Sequence, residues 1–552
     1  MTPDELAAAV TRLVAQVAET RDLDGSTLPE VRIERPKSRE HGDYATNVAL
    51  ALAKGARMAP RDLAQLLADG LAEEPGIASA EVAGPGFINI RLESAAQGEL
   101  ARSVVLAGER WGDGTALAGR VVNVEFISAN PTGPLHLGHT RWAAVGDALA
   151  RVLSAAGAQV TKEFYVNDRG AQMDKFGASV MAAANGRPVP EDGYHGAYIL
   201  DLAAEIVAAD PTLTALPDVE QMIAFREAAY ALQLRAQQHV LGLFRTHFDV
   251  WTSERGLHDS GAVERGLARL QEQGHVFEQD GAVWLRTTDF GDDKDRVLVK
   301  ADGEYTYFAS DTAYYVDKRA RGFDLNIYLL GADHHGYVNR LRAVAACAGD
   351  DMDDNVEILI GQLVKITRDG EEVKLSKRAG TIVTLDDLVE EVGVDAARYT
   401  LSRYPADSPL TLDLGEMVKA TSDNPVFYVQ YAHARIASVL RNAAELGIDW
   451  RASEMNPALL DHERENNLLG MIGEFPRVVA SAAELREPHR VARYLEDLAT
   501  AYHRFYDACW VLPRGDEALA EIHVARLWLC AATRQTIGNG LGLLGVSAPE
   551  RM

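Results

Sequence analysis

The sequence predicts an α/β protein: a parallel sheet wrapped by helices, with an α+β domain before it and an all-α helical bundle after it. Three observations carry that expectation. From about residue 120, short β-branched runs such as "VVNVEFI", "VTKEFYV" and "LNIYLLG" alternate with helical stretches, the pattern of strand–helix–strand crossovers. Upstream, helical spacing at Leu63, Leu66, Leu67 and Leu71 is mixed with the strand-like "GPGFINIRLE", bounded by turn residues. Beyond 420 only helical periodicity remains, and Val491, Leu495, Leu498, Tyr502 and Phe505 keep to one helix face.

A chain of 552 residues is too long for one core. The division expected is 1–112, then 113–420 with a helical insertion at about 175–275, then 421–552. "RWGDGTALAGR" reads as the first linker. With 47% hydrophobic and 25% charged residues, the composition is that of a globular protein and excludes a disordered one. No apolar run approaches the roughly 18 residues of a membrane span. "MTPDELAAAVTRLV" reads as a capped helix, with acids where a signal peptide carries its basic region. Cys347, Cys509 and Cys530 form no close pair, which argues against a disulfide framework or a thiolate metal site and fits a reducing cytoplasm. A net charge of −26 points by itself to a small-molecule enzyme, although a nucleic-acid partner needs only a basic contact face.

The densest chemistry lies in "SANPTGPLHLGHTR", residues 128–141. It follows a buried strand and precedes a helix whose buried face runs through Val145, Leu149 and Val152 to an end near Gly157. His136, Gly138 and His139 are therefore placed at a helix N-terminus, where free amides and the dipole favour an anion. Gly138 allows close approach of a ring or phosphate, and the two imidazoles can donate to phosphate oxygens as charge builds. The same two histidines also suit a purely capping role. A second run, "VKITRDGEEVKLSKRAGT", has a turn at Asp369-Gly370 followed by Lys374, Ser376, Lys377 and Arg378 on a polar loop suited to polyphosphate. Two such runs in one α/β chain point to nucleotide chemistry.

These runs resemble the HIGH ("PLHLGH") and KMSKS ("KLSKR") motifs of class I aminoacyl-tRNA synthetases. Leu375 stands where many members carry methionine. Longer stretches, "EFISANPTGPLHLGHTR", "FYVNDRGAQ", "FGDDKDRVLVKADGEYTYFASDTAYYVDK", "GADHHGY" and "NPVFYVQYAHARI", resemble the arginyl-tRNA synthetase family specifically, and the likeness covers nearly the whole chain. The resemblance implies a Rossmann-type catalytic domain that joins L-arginine to tRNA-Arg through an arginyl-adenylate. It implies ATP with Mg2+ as substrate, no tightly bound metal, no membrane association and a monomer. It assigns catalysis to His136, His139, Lys374 and Lys377, and ATP binding to these with Gly138, Asp333, His334 and Ser376. Arginine binding falls to Glu125, Asn130, His139, Tyr307, Asp311 and Asp333; the residues themselves agree, since a guanidinium is best met by carboxylates. Asp311 also suits a helix N-cap before "TAYYVDK". For tRNA, the resemblance implies Phe87 and Asn89 at the elbow and Tyr428, Tyr431 and Arg435 at the anticodon; for Phe87, a core strand position is the alternative. A small adenylyltransferase would share the two loops but not need the long helical end, and an acid-binding synthetase would want a basic pocket.

Overall fold

Five strands, all parallel, run through the middle of the computed structural model, which describes residues 1–21, 28–36, 38–368, 370–373 and 383–552. Their order across the sheet is Val356–Gly361, Leu325–Gly331, Val121–Glu125, Gln159–Val166 and Val250–Ser253. Val122, Val124, Ile327 and Leu329 are buried, as expected of strands covered by helices on both faces. The chain runs outward from Val121–Glu125 to one edge, then returns to build the other side. That reversal opens a crevice beyond the carboxyl ends of Val121–Glu125 and Leu325–Gly331, the usual ligand position in such sheets.

Helices Ala171–Ala184, Ala197–Ala209 and Asp218–Leu243 form the insertion and share a small core of Phe176, Val180, Ile199 and Phe225. The range 175–275 expected to be a helical insertion is not continuous: strand Val250–Ser253 interrupts it between Leu243 and the helices Glu254–Asp259 and Ala262–Glu272. Val250–Ser253 pairs with the Glu163–Val166 segment as the sheet's edge strand. "VWTS" is short and half-buried throughout, so its period is too weak to read. A three-stranded antiparallel sheet, Val276–Gln279, Ala282–Leu285 and Arg296–Val299, then leads into helix Tyr307–Ala320.

The N-terminal region is α+β: an antiparallel sheet in the order Ile33–Glu34, Tyr44–Thr46, Phe87–Leu92, Ile77–Ala83, packed by helices Pro3–Thr20, Val48–Ala56 and Pro60–Ala72. Ile88, Ile90 and Leu92 face this core, so Phe87 faces out, at 40% exposure; a core position does not describe it. The core closes at Leu92, short of the expected division at 112. Helix Ser94–Ala107 instead sends Leu100, Ala101 and Val104 into the core shared by the central sheet and the C-terminal helices.

Those C-terminal helices are Pro425–Glu445, Glu463–Gly473, Phe475–Glu484, His489–Ala508 and Glu521–Leu543, and the face through Val491, Leu495, Leu498, Tyr502 and Phe505 is buried. A buried charge cluster ties this bundle to helix Leu137–Ala155. Arg398, fully buried, donates to Asp147 at 2.6 Å, to the Phe244 carbonyl at 2.8 Å and to the Leu544 carbonyl at 3.0 Å. Burial alone would raise the Asp147 pKa, but Arg398, Arg151 and Lys162 outweigh it and hold the carboxylate below its usual range. Removing one partner of such a pair leaves an uncompensated buried charge, a cost of about 3–5 kcal/mol.

Candidate active site

The first strand ends in a strained turn. Ile127 and Ser128 both take positive φ, 68° and 43°, which is rare for any L-residue and an outlier for a β-branched one. Ser128 Oγ donates to Glu125 Oε1 at 2.9 Å and accepts the Tyr165 amide at 3.1 Å, which fixes the turn. Helix Leu137–Ala155 then begins with His136 as N-cap. Its Nδ1 accepts the Gly138 amide at 3.2 Å, while the His136 amide donates to His139 Nδ1 at 3.3 Å, and the rings lie 3.8 Å apart. These histidines therefore fill the capping role, which engages their Nδ1 atoms. A Cβ at Gly138 would come within 3.1 Å of the His136 ring, so the glycine also serves the cap.

Burial lowers the pKa of both histidines; that of His139 falls to about 3, with His136 adding to the effect. Neutral rings that accept at Nδ1 carry their proton on Nε2, so each offers one N–H donor. Both line a cavity of about 430 Å³ with Asn130, Thr132, Gly133, Gln172, Tyr198 and Thr384.

The described residues include the chain on either side of the second motif. Val364–Arg368 and Glu371–Glu372 form the expected hairpin, with Gly370 at φ 83°. Lys374, Ser376, Lys377 and Arg378 lie outside the described residues. The residues just after them are stitched to the histidine run: the Leu137 amide donates to the Val383 carbonyl at 3.0 Å and the Leu385 amide to the Leu135 carbonyl at 2.8 Å. The segment around residues 383–385 and the histidine run, far apart in sequence, thus share backbone hydrogen bonds.

Across the crevice stands an acidic wall. Helix Tyr307–Ala320 is capped by Thr306, whose Oγ1 accepts the Ala309 amide at 3.3 Å. Asp311 is therefore not the cap that "TAYYVDK" suggested; it lies in the second turn, where Tyr337 donates to it. Burial pushes the Asp311 carboxyl up to about 7, Glu254 and Glu125 add to the rise, and Arg340 opposes it. Glu254, 2% exposed, is raised as well, by burial first and then Asp168 against the opposing Arg169; Tyr165 and Ser310 hydrogen-bond to it. Glu125 is paired directly with a cation: Lys318 Nζ lies 2.6 Å from its Oε2.

Tyr307 is 67% exposed, its hydroxyl set against Gly170, where a Cβ would lie only 2.7 Å away. Asn130 is exposed and donates to Gln172 at 2.8 Å. Asp333 and His334 form an exposed pair, 3.4 Å apart, on the turn after Leu325–Gly331. Glu254 and Lys318 escaped the sequence reading. Lys318 had a signal, since Asp311, Tyr314, Tyr315 and Lys318 fall at i, i+3, i+4 and i+7 of one helix. Among the described residues, no group of His, Cys, Asp and Glu is arranged to hold a metal.

On the C-terminal bundle, Tyr428 and Tyr431 pack on the His503 ring at 5.1 and 5.8 Å, and Arg435 lies 4.1 Å over Tyr506. Arg435, Tyr428 and Tyr431 line an open cavity of about 400 Å³, with Tyr431 43% exposed. Aromatic faces beside a cation suit stacked bases.

Three family profiles match the chain in sequence. "Arginyl tRNA synthetase N terminal domain" covers residues 4–92, "tRNA synthetases class I (R), catalytic domain" covers 103–191 and 228–436, and "DALR anticodon binding domain" covers 429–552. The chain is similar to "Arginine--tRNA ligase" of Paenarthrobacter aurescens (strain TC1), 56% identical over 555 residues, and of Frankia alni, 58% identical over 552 residues; 100% of each chain is covered. Its fold is that of the Thermus thermophilus arginyl-tRNA synthetase structure, with a TM-score of 0.77 at 24% identity over 100% of both chains. From end to end, in all three of its parts, the chain belongs to the arginyl-tRNA synthetase family.

Proposed function

We propose that the protein is an arginine–tRNA ligase working in two steps. An arginine carboxylate oxygen attacks the α-phosphorus of ATP, and the bond to the β-phosphate bridge breaks, giving arginyl-adenylate and pyrophosphate. A hydroxyl of the terminal tRNA ribose then attacks the adenylate's carbonyl carbon, loses its proton and displaces AMP. The observation that carries the arginine reading is the pair of cation-poor carboxyls, half-buried Asp311 and buried Glu254. A permanently charged, planar guanidinium fits such a wall.

In this reading Asp311, with Tyr307 and Glu254, takes the guanidinium, Glu125 the α-ammonium and Asn130 the carboxylate region, with Asp333 adding a polar contact. His136 and His139 donate to the α-phosphate as charge builds there. Gly138 and His334 border the nucleotide, and Lys374, Ser376 and Lys377 balance the departing pyrophosphate. Magnesium enters with ATP as part of the substrate. Phe87 and Asn89 meet a base at the tRNA elbow, and Tyr428, Tyr431 and Arg435 meet the anticodon. The protein acts as a cytoplasmic monomer. No helix among the described residues is long and apolar enough to cross a membrane.

Charging assays with each of the twenty amino acids and a panel of tRNAs test this. Arginine and tRNA-Arg alone should support it; charging of tRNA by a different amino acid would overturn the assignment.

A further inference from the structure

Lys318 has no exposed surface, yet it carries an ammonium group. Nζ is held at 2.6 Å by Glu125 Oε2 and lies 4.4 Å from the ring centre of Tyr314 and 4.1 Å from that of Tyr328. Two ring faces favour a cation. They would equally favour a methionine of similar length, which avoids the desolvation of a buried charge. Packing alone therefore does not account for lysine. The groups facing its charge are carboxylates: Glu125 in direct contact, and Glu163 behind it, which already has Arg321 at 2.9 Å. Glu125 is thus the group that depends on Lys318.

The other Glu125 oxygen is set by Ser128, itself locked in the positive-φ turn. Between them, Lys318 and Ser128 fix both oxygens. A carboxylate offers about four acceptor positions, so capacity remains for a ligand ammonium. Lys318 itself is sealed from ligand by its two rings.

We infer that Lys318 is a positioning residue: it holds Glu125 ready for the substrate's α-ammonium and so sets the demand for an amino group on the substrate's α-carbon. This rests on the reading of Glu125 given under Proposed function. The methylene chain and guanidinium end of the substrate are outside its reach.

The test compares three guanidinium compounds on the parent and Lys318→Met enzymes: arginine as substrate, with agmatine and 5-guanidinopentanoate as competitive inhibitors. Agmatine keeps the amine and lacks the carboxylate; 5-guanidinopentanoate does the reverse. Lys318→Met should raise the arginine KM and the agmatine Ki by about tenfold or more, the scale for disturbing a buried charge contact. The Ki of 5-guanidinopentanoate should move by less than about twofold. Equal weakening of all three, or of none, overturns the inference. In a Glu125→Gln background, Lys318→Met should cost arginine nothing further; a second multiplicative loss also overturns it. Removing both charges leaves neither one stranded, so this double variant serves if the single one does not fold. A parent enzyme that charges no arginine would instead sink the functional reading.

Discussion

At the start of helix Leu137–Ala155 the polar groups pair as neutral rings, whereas across the crevice hydrogen-bonded carboxyls crowd one another. His136 and His139 cap the helix, lie ring against ring at a tilt, and are disfavoured as cations by burial. They are ready before any ligand arrives and need only donate. Half-buried Asp311 and buried Glu254 sit together, short of cations, with raised pKa values. One half is preorganised through internal hydrogen bonds, and the other through an electrostatic deficit that a cationic side chain corrects. Under the proposed function the contrast would separate two jobs: stabilising charge that develops during reaction, and selecting a charge already present on the substrate.

Changes to the acidic half should strike arginine selection. Asp311→Asn should cost about 2–4 kcal/mol in arginine kcat/KM, roughly 30- to 900-fold, as for losing one partner of a desolvated charge pair. Steady-state charging kinetics measure it, and an unchanged arginine KM and turnover would remove Asp311 from the pocket. Changes to the phosphate half should strike turnover instead. Lys377→Ala should lower kcat about 10²-fold with arginine KM nearly constant, the mark of an interaction made in the transition state. An equal loss in arginine binding would erase the distinction between the halves.

A smaller effect sharpens the same contrast by pH. Asp311, with its pKa near 7, must be ionised to take the guanidinium. Arginine kcat/KM should therefore rise as pH increases from 6 and level off above 7, and Asp311→Asn should flatten that limb. The stability sign is opposite. A carboxyl raised in the folded state contributes most below its unfolded pKa of about 4, and loses that contribution as pH rises through 7. Arginine should thus raise the melting temperature more at pH 8 than at pH 6. Smallest of all, Phe87→Ala should raise the tRNA KM several-fold, within the roughly 1–3 kcal/mol of a stacked base, and leave the arginine and ATP KM values alone.

Much of this contrast was legible in the sequence, but unevenly. The strands, the histidine run and the lysine-bearing hairpin announce themselves through local period and spacing. Asp311 stands out as a candidate, although with a capping alternative that Thr306 displaces. Glu254 and Lys318 were hidden because each has an adequate local explanation. Glu254 sits in the first turn of Glu254–Asp259, and Lys318 in the last turn of its own helix, where the dipole favours an acid and a base respectively. Glu254 comes beside Asp311 only when the sheet's edge strand brings it back, and that strand, "VWTS", was itself too short to read. The shift of helix Ser94–Ala107 into the central core was invisible for a related reason: periodicity gives a buried face, not the partner that buries it.

The electrostatic account is tested most directly by proton release on arginine binding, followed by calorimetry at pH 7 in buffers of differing ionisation enthalpy. A guanidinium beside Asp311 should pull its pKa down from about 7, releasing about half a proton per arginine at pH 7 and almost none at pH 9. Asp311→Asn should abolish the release. Arginine binding to the parent at pH 7 with no proton released would contradict the claim that a charge-deficient carboxylate selects the substrate.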